Sequence, residues 1–186
     1  MFIQTEPTPN PATLKFLPGR AVMAKGTANF TDSGTAARSP LAERLFALDG
    51  VTGIFLGSDF VTVSKDDTAD WYQLKPAVLG ALMDHFTAGL PVMLDETVSG
   101  TGDAAAPDEE DSEIVVQIKE LIETRVRPAV AQDGGDILFH RFEDGVVYLH
   151  MQGSCSGCPS STATLKAGIE NMLRHYVPEV HEVRAV

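Results

Sequence analysis

The sequence predicts an α+β protein of two small domains, each a layer of helices on a sheet, joined by a flexible acidic linker. Short β-branched and aromatic runs bounded by turn residues are interspersed with segments whose apolar residues recur about every 3.6 positions. The chain has 186 residues, of which 44% are hydrophobic and 22% charged. This is an ordinary balance for one globular domain or two small ones.

The charge distribution marks the linker. Residues 95–113 contain eight acidic residues and no basic residue, whereas the segments before and after them hold nine acids and seven bases each. From Ser99 to Pro107 the residues are small or polar and have little to bury, so we expect a mobile, solvated tether. The predicted domains are therefore residues 1–94 and 113–186, with the linker at 95–112.

In the first domain, the turn-rich segment Pro7–Pro11 excludes a helix and separates two strands. Ser39 and Pro40 are residue types preferred at a helix N-cap and at the first helical position, so a helix begins there. A second, amphipathic helix covers Trp71–Gly89, with His85 expected on its surface. The predicted strands are Phe2–Thr5, Thr13–Leu17, Val51–Leu56 and Phe60–Ser64, the last two paired as a hairpin.

The second domain has the predicted order α-β-β-α-β. Its first helix starts near Ile114 and stops near Arg127-Pro128, and its second helix starts at Pro159 and ends before Pro178. Asp144-Gly145 is a strong signal for a hairpin turn. The predicted strands are Ile137–Phe142, Val146–Met151 and Val180–Ala185. So small a domain buries a modest core, and dimerisation or a bound metal would help to stabilise it.

Cys155 and Cys158 are the only cysteines in the chain and form a CxxC motif. Two thiolates on one tight loop can bind an iron, copper or zinc centre, but tetrahedral zinc and cubane iron–sulfur sites usually take four protein ligands. A metal site here would therefore be shared by two chains. The helix that starts at Pro159 places Cys158 at or near its N-cap, where free amides and the helix dipole favour an anion, so we expect a lowered pKa for the Cys158 thiol.

Two other uses of the cysteine pair stay open: a zinc-bridged structural dimer and thiol–disulfide exchange. Zinc and iron compete for the same soft ligands. Thioredoxin-like proteins also place a CxxC motif between a strand and a helix, but only 28 residues follow Cys158. That length is too short for the further strands and the cis-proline that a thioredoxin-like site needs.

Composition argues against several partners. The net charge is -12, with 26 acids against 14 bases, which disfavours nucleic-acid binding through phosphate neutralisation. The apolar runs are too short to span a bilayer, and the first residues resemble neither a secretory signal nor an Arg-rich targeting presequence. We therefore expect a cytoplasmic protein, or one from an organelle matrix if the chain is a processed form. Thiols stay reduced in these compartments, so a structural disulfide is not expected.

The motifs of both domains resemble those of the Nfu family of iron–sulfur carrier proteins. In the second domain, the similarity to the NifU-like domain lies in Gly153-Ser154-Cys155-Ser156-Gly157-Cys158-Pro159-Ser160-Ser161, Asp133-Gly134-Gly135-Asp136 and Tyr176-Val177-Pro178-Glu179-Val180. In the first domain, the similarity to the Nfu N-terminal domain lies in Met1-Phe2-Ile3-Gln4-Thr5, Thr8-Pro9-Asn10-Pro11, Leu14-Lys15-Phe16, Arg38-Ser39-Pro40-Leu41-Ala42, Phe60-Val61-Thr62-Val63 and Leu74-Lys75-Pro76. It covers nearly the whole chain except the linker and roughly residues 21–37.

The resemblance implies that Cys155 and Cys158 from each of two protomers ligate one bridging [4Fe-4S] cluster, with [2Fe-2S] or zinc as alternatives. It implies a homodimer or higher oligomer when the cluster is bound. It also implies a carrier, without substrate turnover, that takes clusters from upstream assembly proteins and hands them to apo iron–sulfur client enzymes. By the same resemblance, the first domain recognises clients or donors.

Overall fold

Residues 2–94, 113–156 and 159–186 are described by a computed structural model, in which two α+β units are seen. The predicted fold class is confirmed. The predicted linker, residues 95–112, lies outside the described residues, so the proposed domain boundaries stay a prediction. No helix in the described ranges is long and apolar enough to cross a bilayer.

The first unit is a five-stranded antiparallel sheet with helices on one face, in the strand order β1-β2-β5-β4-β3. Its elements are β1 (Gln4–Pro7), β2 (Thr13–Leu17), β3 (Ala28–Phe30), α1 (Ser33–Ala36), α2 (Pro40–Phe46), β4 (Val51–Leu56), β5 (Val61–Lys65) and α3 (Trp71–Thr87). The strand β3 and the helix α1 were not predicted. β1 includes Pro7, which is tolerated because β1 is an edge strand and needs no amide on its outer side.

The core of this unit lies between the helices and one face of the sheet. Side chains alternate between the two faces of a strand, and Phe16 on β2 and Val61 and Val63 on β5 point toward the helices. All three are fully buried. His85 is also fully buried, edge-on to Phe86 with ring centroids 5.6 Å apart. The prediction of a surface position for His85 was wrong, because His85 lies three residues after the buried Leu82 and so continues the buried stripe of α3.

The second unit has the predicted α-β-β-α-β order. Its elements are α4 (Glu113–Leu121), α5 (Arg127–Gln132), β6 (Gly135–Glu143), β7 (Val146–Gly153), α6 (Pro159–Tyr176) and β8 (Glu182–Ala185). The sheet order is β6-β7-β8, with β6 and β7 antiparallel and β7 and β8 parallel. Asp144 and Gly145 both have positive φ, as expected for the Asp-Gly turn between β6 and β7.

The first helical segment of this unit does not stop near Pro128. A π-helical turn, Ile122–Val126, joins α4 to α5 and the helical backbone runs on to Gln132. Proline lacks an amide proton and clashes with the carbonyl four residues earlier in a regular α-helix. A π turn widens the hydrogen-bond step at this point, which lets the chain continue through Pro128.

Candidate metal centre at the cysteine loop

The predicted metal site lies between β7 and α6. β7 ends at Gly153, Ser154 and Cys155 follow in a turn, and α6 begins at Pro159 as predicted. Cys158 lies outside the described residues, so the geometry of the site is known through Cys155 alone. The pairing of the two thiols as ligands therefore stays a prediction.

Cys155 is buried, with 5% of its surface exposed, and packs into the apolar core of the second unit. Its Sγ lies directly against Gly135, where a Cβ would overlap the sulfur atom. The amide and hydroxyl of Ser156 donate to the carbonyl oxygen of Gly153 at 3.2 and 2.9 Å. Thr162 Oγ1 on α6 donates to the carbonyl oxygen of Cys155 at 3.1 Å. These bonds hold the first half of the CxxC motif in a tight turn.

Burial raises the pKa of the Cys155 thiol to about 12, and the nearby carboxylates of Asp133 and Asp136 add to this effect. In this conformation Cys155 is a neutral thiol. The lowered pKa is predicted for the Cys158 thiol, which lies outside the described residues, and stays a prediction. A metal ion must displace the Cys155 proton to bind there, and its positive charge supplies the driving force for that loss.

The segment Asp133–Asp136 forms a wall of the site, because β6–β7 pairing places Gly135 opposite Gly153. Asp136 is 3% exposed and accepts from Arg127 through Nε to Oδ1 and Nη2 to Oδ2, both at 2.9 Å. The amide of Ile137 also donates to Asp136 Oδ1 at 2.8 Å. This geometry is a bidentate charge pair, and it anchors the wall against which Cys155 packs.

The role of Arg127 is not predicted from the sequence. Arg127 binds Asp136 and also donates to Glu123 Oε2 at 2.7 Å. These two carboxylates raise the pKa of Arg127, so the guanidinium stays charged. The signal available in the sequence is the second aspartate of the Asp133-Gly134-Gly135-Asp136 motif.

Other potential ligands lie elsewhere. His140 and His150 are exposed on the β6–β7 hairpin. His150 Nδ1 lies 3.1 Å from the carbonyl oxygen of Val186. Across the described parts of the chain, no three His, Cys, Asp or Glu side chains are grouped so that they could hold a metal ion.

Comparison with known proteins supports the resemblance in both halves of the chain. A family model described as "Scaffold protein Nfu/NifU N terminal" matches residues 3–89, and one described as "NifU-like domain" matches residues 118–184. Over its full length the chain is 51% identical to a human protein named "NFU1 iron-sulfur cluster scaffold homolog, mitochondrial", and it covers 72% of that protein. The chain belongs to the Nfu family.

A second Nfu relative is the Arabidopsis thaliana protein named "NifU-like protein 4, mitochondrial". It is 54% identical over 98% of this chain, which spans 65% of the Arabidopsis protein. The solution NMR structure of a NifU-like protein from Saccharomyces cerevisiae matches 52% of this chain and 87% of its own, with 30% identity and a TM-score of 0.46.

Proposed function

We propose that this protein carries a [4Fe-4S] cluster held between two protomers and passes it to apo-proteins during iron–sulfur assembly. The single observation that carries the proposal is the ligand count. Each chain has two cysteines, three positions apart in the sequence and directly before α6, and a cubane usually takes four. Full-length similarity to proteins named as iron–sulfur cluster scaffolds favours the cubane over a zinc-bridged dimer.

The proposed ligands are Cys155 and Cys158 of both protomers. During transfer, each acceptor thiolate replaces one cysteine thiolate on iron, so the cluster moves without a change in electron count. The displaced cysteine thiolates take up the protons that the acceptor thiols release, so the exchange is balanced in protons and in charge.

The partners follow from the same proposal. The protein acts without substrate turnover, between upstream cluster-assembly proteins and apo client enzymes, and the first unit recognises one or both of these. The human and Arabidopsis relatives are named as mitochondrial. Their names favour the organelle-matrix alternative over the cytoplasmic location expected from the sequence.

The test is anaerobic reconstitution with iron and sulfide, followed by Mössbauer spectroscopy, iron and sulfide analysis and light scattering. We expect a [4Fe-4S] spectrum, about two iron atoms per chain and a dimeric mass. Cys155→Ala and Cys158→Ala should each abolish the bound cluster. His150→Ala is the matched control, since it removes an exposed imidazole that lies beside Val186, and it should leave the cluster unchanged.

Several outcomes would contradict the proposal. Full cluster content in either cysteine variant would refute the ligand assignment, and a monomer that carries a whole cubane would refute the shared site. A [2Fe-2S] spectrum or stoichiometric zinc would select the corresponding alternative. Robust reduction of insulin with a dithiol donor would support thiol–disulfide exchange instead of cluster transfer.

A further inference from the structure

The face of the first sheet that points away from the helices is covered. Lys15, Phe55 and Thr62 alternate with core residues on β2, β4 and β5, so their side chains point to this outer face. They are nevertheless 7%, 1% and 0% exposed. An antiparallel sheet with helices on one side commonly leaves its other side to water. Here another part of the same chain occupies that side.

The cover is formed by the second unit, through residues 132–134 between α5 and β6 and through the cysteine loop, residues 153–156. Thr62 Oγ1 donates to the carbonyl oxygen of Gly134 at 2.7 Å, and Lys15 Nζ donates to the carbonyl oxygen of Gln132 at 3.1 Å. Asn10 Nδ2 donates to the carbonyl oxygen of Ser156 at 3.2 Å. Ser156 lies between Cys155 and Cys158 in the sequence, so the first unit binds the CxxC motif itself.

A fourth bond joins the first unit to the wall of the site. Thr27 Oγ1 donates to Asp136 Oδ2 at 3.0 Å, on the carboxylate that Arg127 also binds. The contact thus includes both segments that enclose the Cys155 sulfur, namely residues 133–136 and residues 153–156. Most of its hydrogen bonds end on backbone carbonyls, which suits recognition of a loop shape rather than of particular side chains.

The two surfaces meet at glycines. A Cβ on Gly134 would lie 2.8 Å from Thr62 Oγ1, and a Cβ on Gly153 would lie 3.0 Å from Phe55 Cγ. Contacts this short force a neighbouring atom to move. Both glycines also have positive φ, so the residue that allows the loop conformation also allows the first sheet to approach it.

We propose that the outer face of the first sheet is a docking surface for the cysteine loop of its own chain, and that the docked form is a closed, cluster-free state which opens when two protomers share a cluster. The opening step rests on the proposed function, whereas the docking does not. The reason for opening is steric. A bridging cluster requires the CxxC loops of two protomers to face each other across one small inorganic core, and the first sheet now occupies the surface around one of those loops.

The test of docking uses the full-length, cluster-free chain in small-angle X-ray scattering with in-line light scattering. In the docked form, Thr62→Glu places a buried carboxylate against the carbonyl oxygen of Gly134, which is unfavourable. In the undocked form the same carboxylate is exposed to water on the sheet surface and costs little. Thr87→Glu is the matched control, because it adds the same charge at an exposed position at the end of α3. We expect a compact monomer for the wild type and for Thr87→Glu, and an extended monomer for Thr62→Glu.

A second readout reports on the contact surface. Acetylation of Lys15, measured by peptide mass spectrometry, should be faster in Thr62→Glu than in Thr87→Glu, because Lys15 is 7% exposed and donates to the carbonyl oxygen of Gln132 in the docked form. Thr27→Glu provides an independent variant, since Thr27 lies outside helices and strands and the new carboxylate would face Asp136. It should open the chain as well, and circular dichroism will show whether each variant is folded.

Three results would overturn the docking. The first is a wild-type scattering curve of two independently moving domains. The second is that Thr62→Glu and Thr27→Glu are folded and as compact as wild type. The third is a cluster-free chain that docks only as a dimer. The opening step is tested separately on the reconstituted protein, which should scatter as a dimer with extended first domains. A loaded dimer that stays closed would refute opening alone, and a chain that binds no cluster would refute the proposed function while the result for docking stands.

Discussion

Removing one partner of the charge pair between Arg127 and Asp136 should destabilise the second unit strongly. Arg127→Met removes the guanidinium but keeps an unbranched side chain, and it leaves a carboxylate that is 3% exposed without its main partner. Breaking a buried pair in this way costs about 3 to 5 kcal/mol. We expect the lower end, about 3 kcal/mol, because the Arg127 side chain is 26% exposed and the Ile137 amide still donates to Asp136.

The matched control is Arg141→Met. Arg141 pairs with Glu143 at 3.3 Å, but the two side chains are 55% and 58% exposed, so its loss should cost less than about 1 kcal/mol. The assay is hydrogen–deuterium exchange of peptides from β6 and β7, because it measures this unit separately from the first one. A loss of about 3 kcal/mol corresponds to roughly 150-fold faster exchange through global opening of the unit.

The double variant Arg127→Met with Asp136→Asn tests the coupling itself. With no buried charge left unpaired, it should lose less than the sum of the two single variants. Equal exchange rates in Arg127→Met and Arg141→Met, or strict additivity in the double variant, would refute the view that a buried charge pair anchors the wall of the cysteine site.

Two further predictions concern pH. Burial, followed by the charge of Arg44, lowers the pKa of His85 below 6.5, so the unfolded chain binds a proton more readily than the folded one and stability of the first unit should fall as pH drops through 6.5. Denaturant titrations followed by Trp71 fluorescence should show this fall in wild type and not in His85→Leu, and equal pH dependence of the two would contradict it. The Cys155 thiol has its pKa raised to about 12, so the alkylation rate of Cys155 in the cluster-free native chain should keep rising with pH to the limit of folding. A plateau near pH 9, as expected for the same residue in denaturant, would show that the thiol is not buried.

Local features were predictable from the sequence. Ser39 caps α2 by accepting from the amide of Ala42 at 3.1 Å, and Pro40 is the first helical residue, as their residue types indicate. Pro159 likewise starts α6. Each of these features depends on neighbours within one helical turn, so residue type and spacing suffice to identify them.

Features that depend on distant parts of the chain were missed or wrong. The helix that starts at Glu113 continues through Pro128 because a π turn precedes this proline. The pattern of residue types does not indicate that turn. The strand β3 has three residues, and its formation depends on pairing with β4 more than on its own composition. His85 was placed on the wrong side of α3 because its polarity was given more weight than its spacing from Leu82.

Two cysteines in one CxxC motif before a helix that starts at Pro159 are predictable from the amino-acid sequence alone. So is the ligand count, which requires a second chain for a four-ligand metal centre. The surroundings of Cys155 come from the fold. Hairpin register places Gly135 opposite Gly153 and against the Cys155 sulfur, Arg127 binds the neighbouring Asp136, and the docked first sheet buries Lys15 and Thr62 against residues 132–134. The difference lies in how far apart the interacting residues are along the chain. Ligand number and helix starts follow from adjacent residues, whereas burial and the raised pKa of Cys155 come from groups that folding alone brings together.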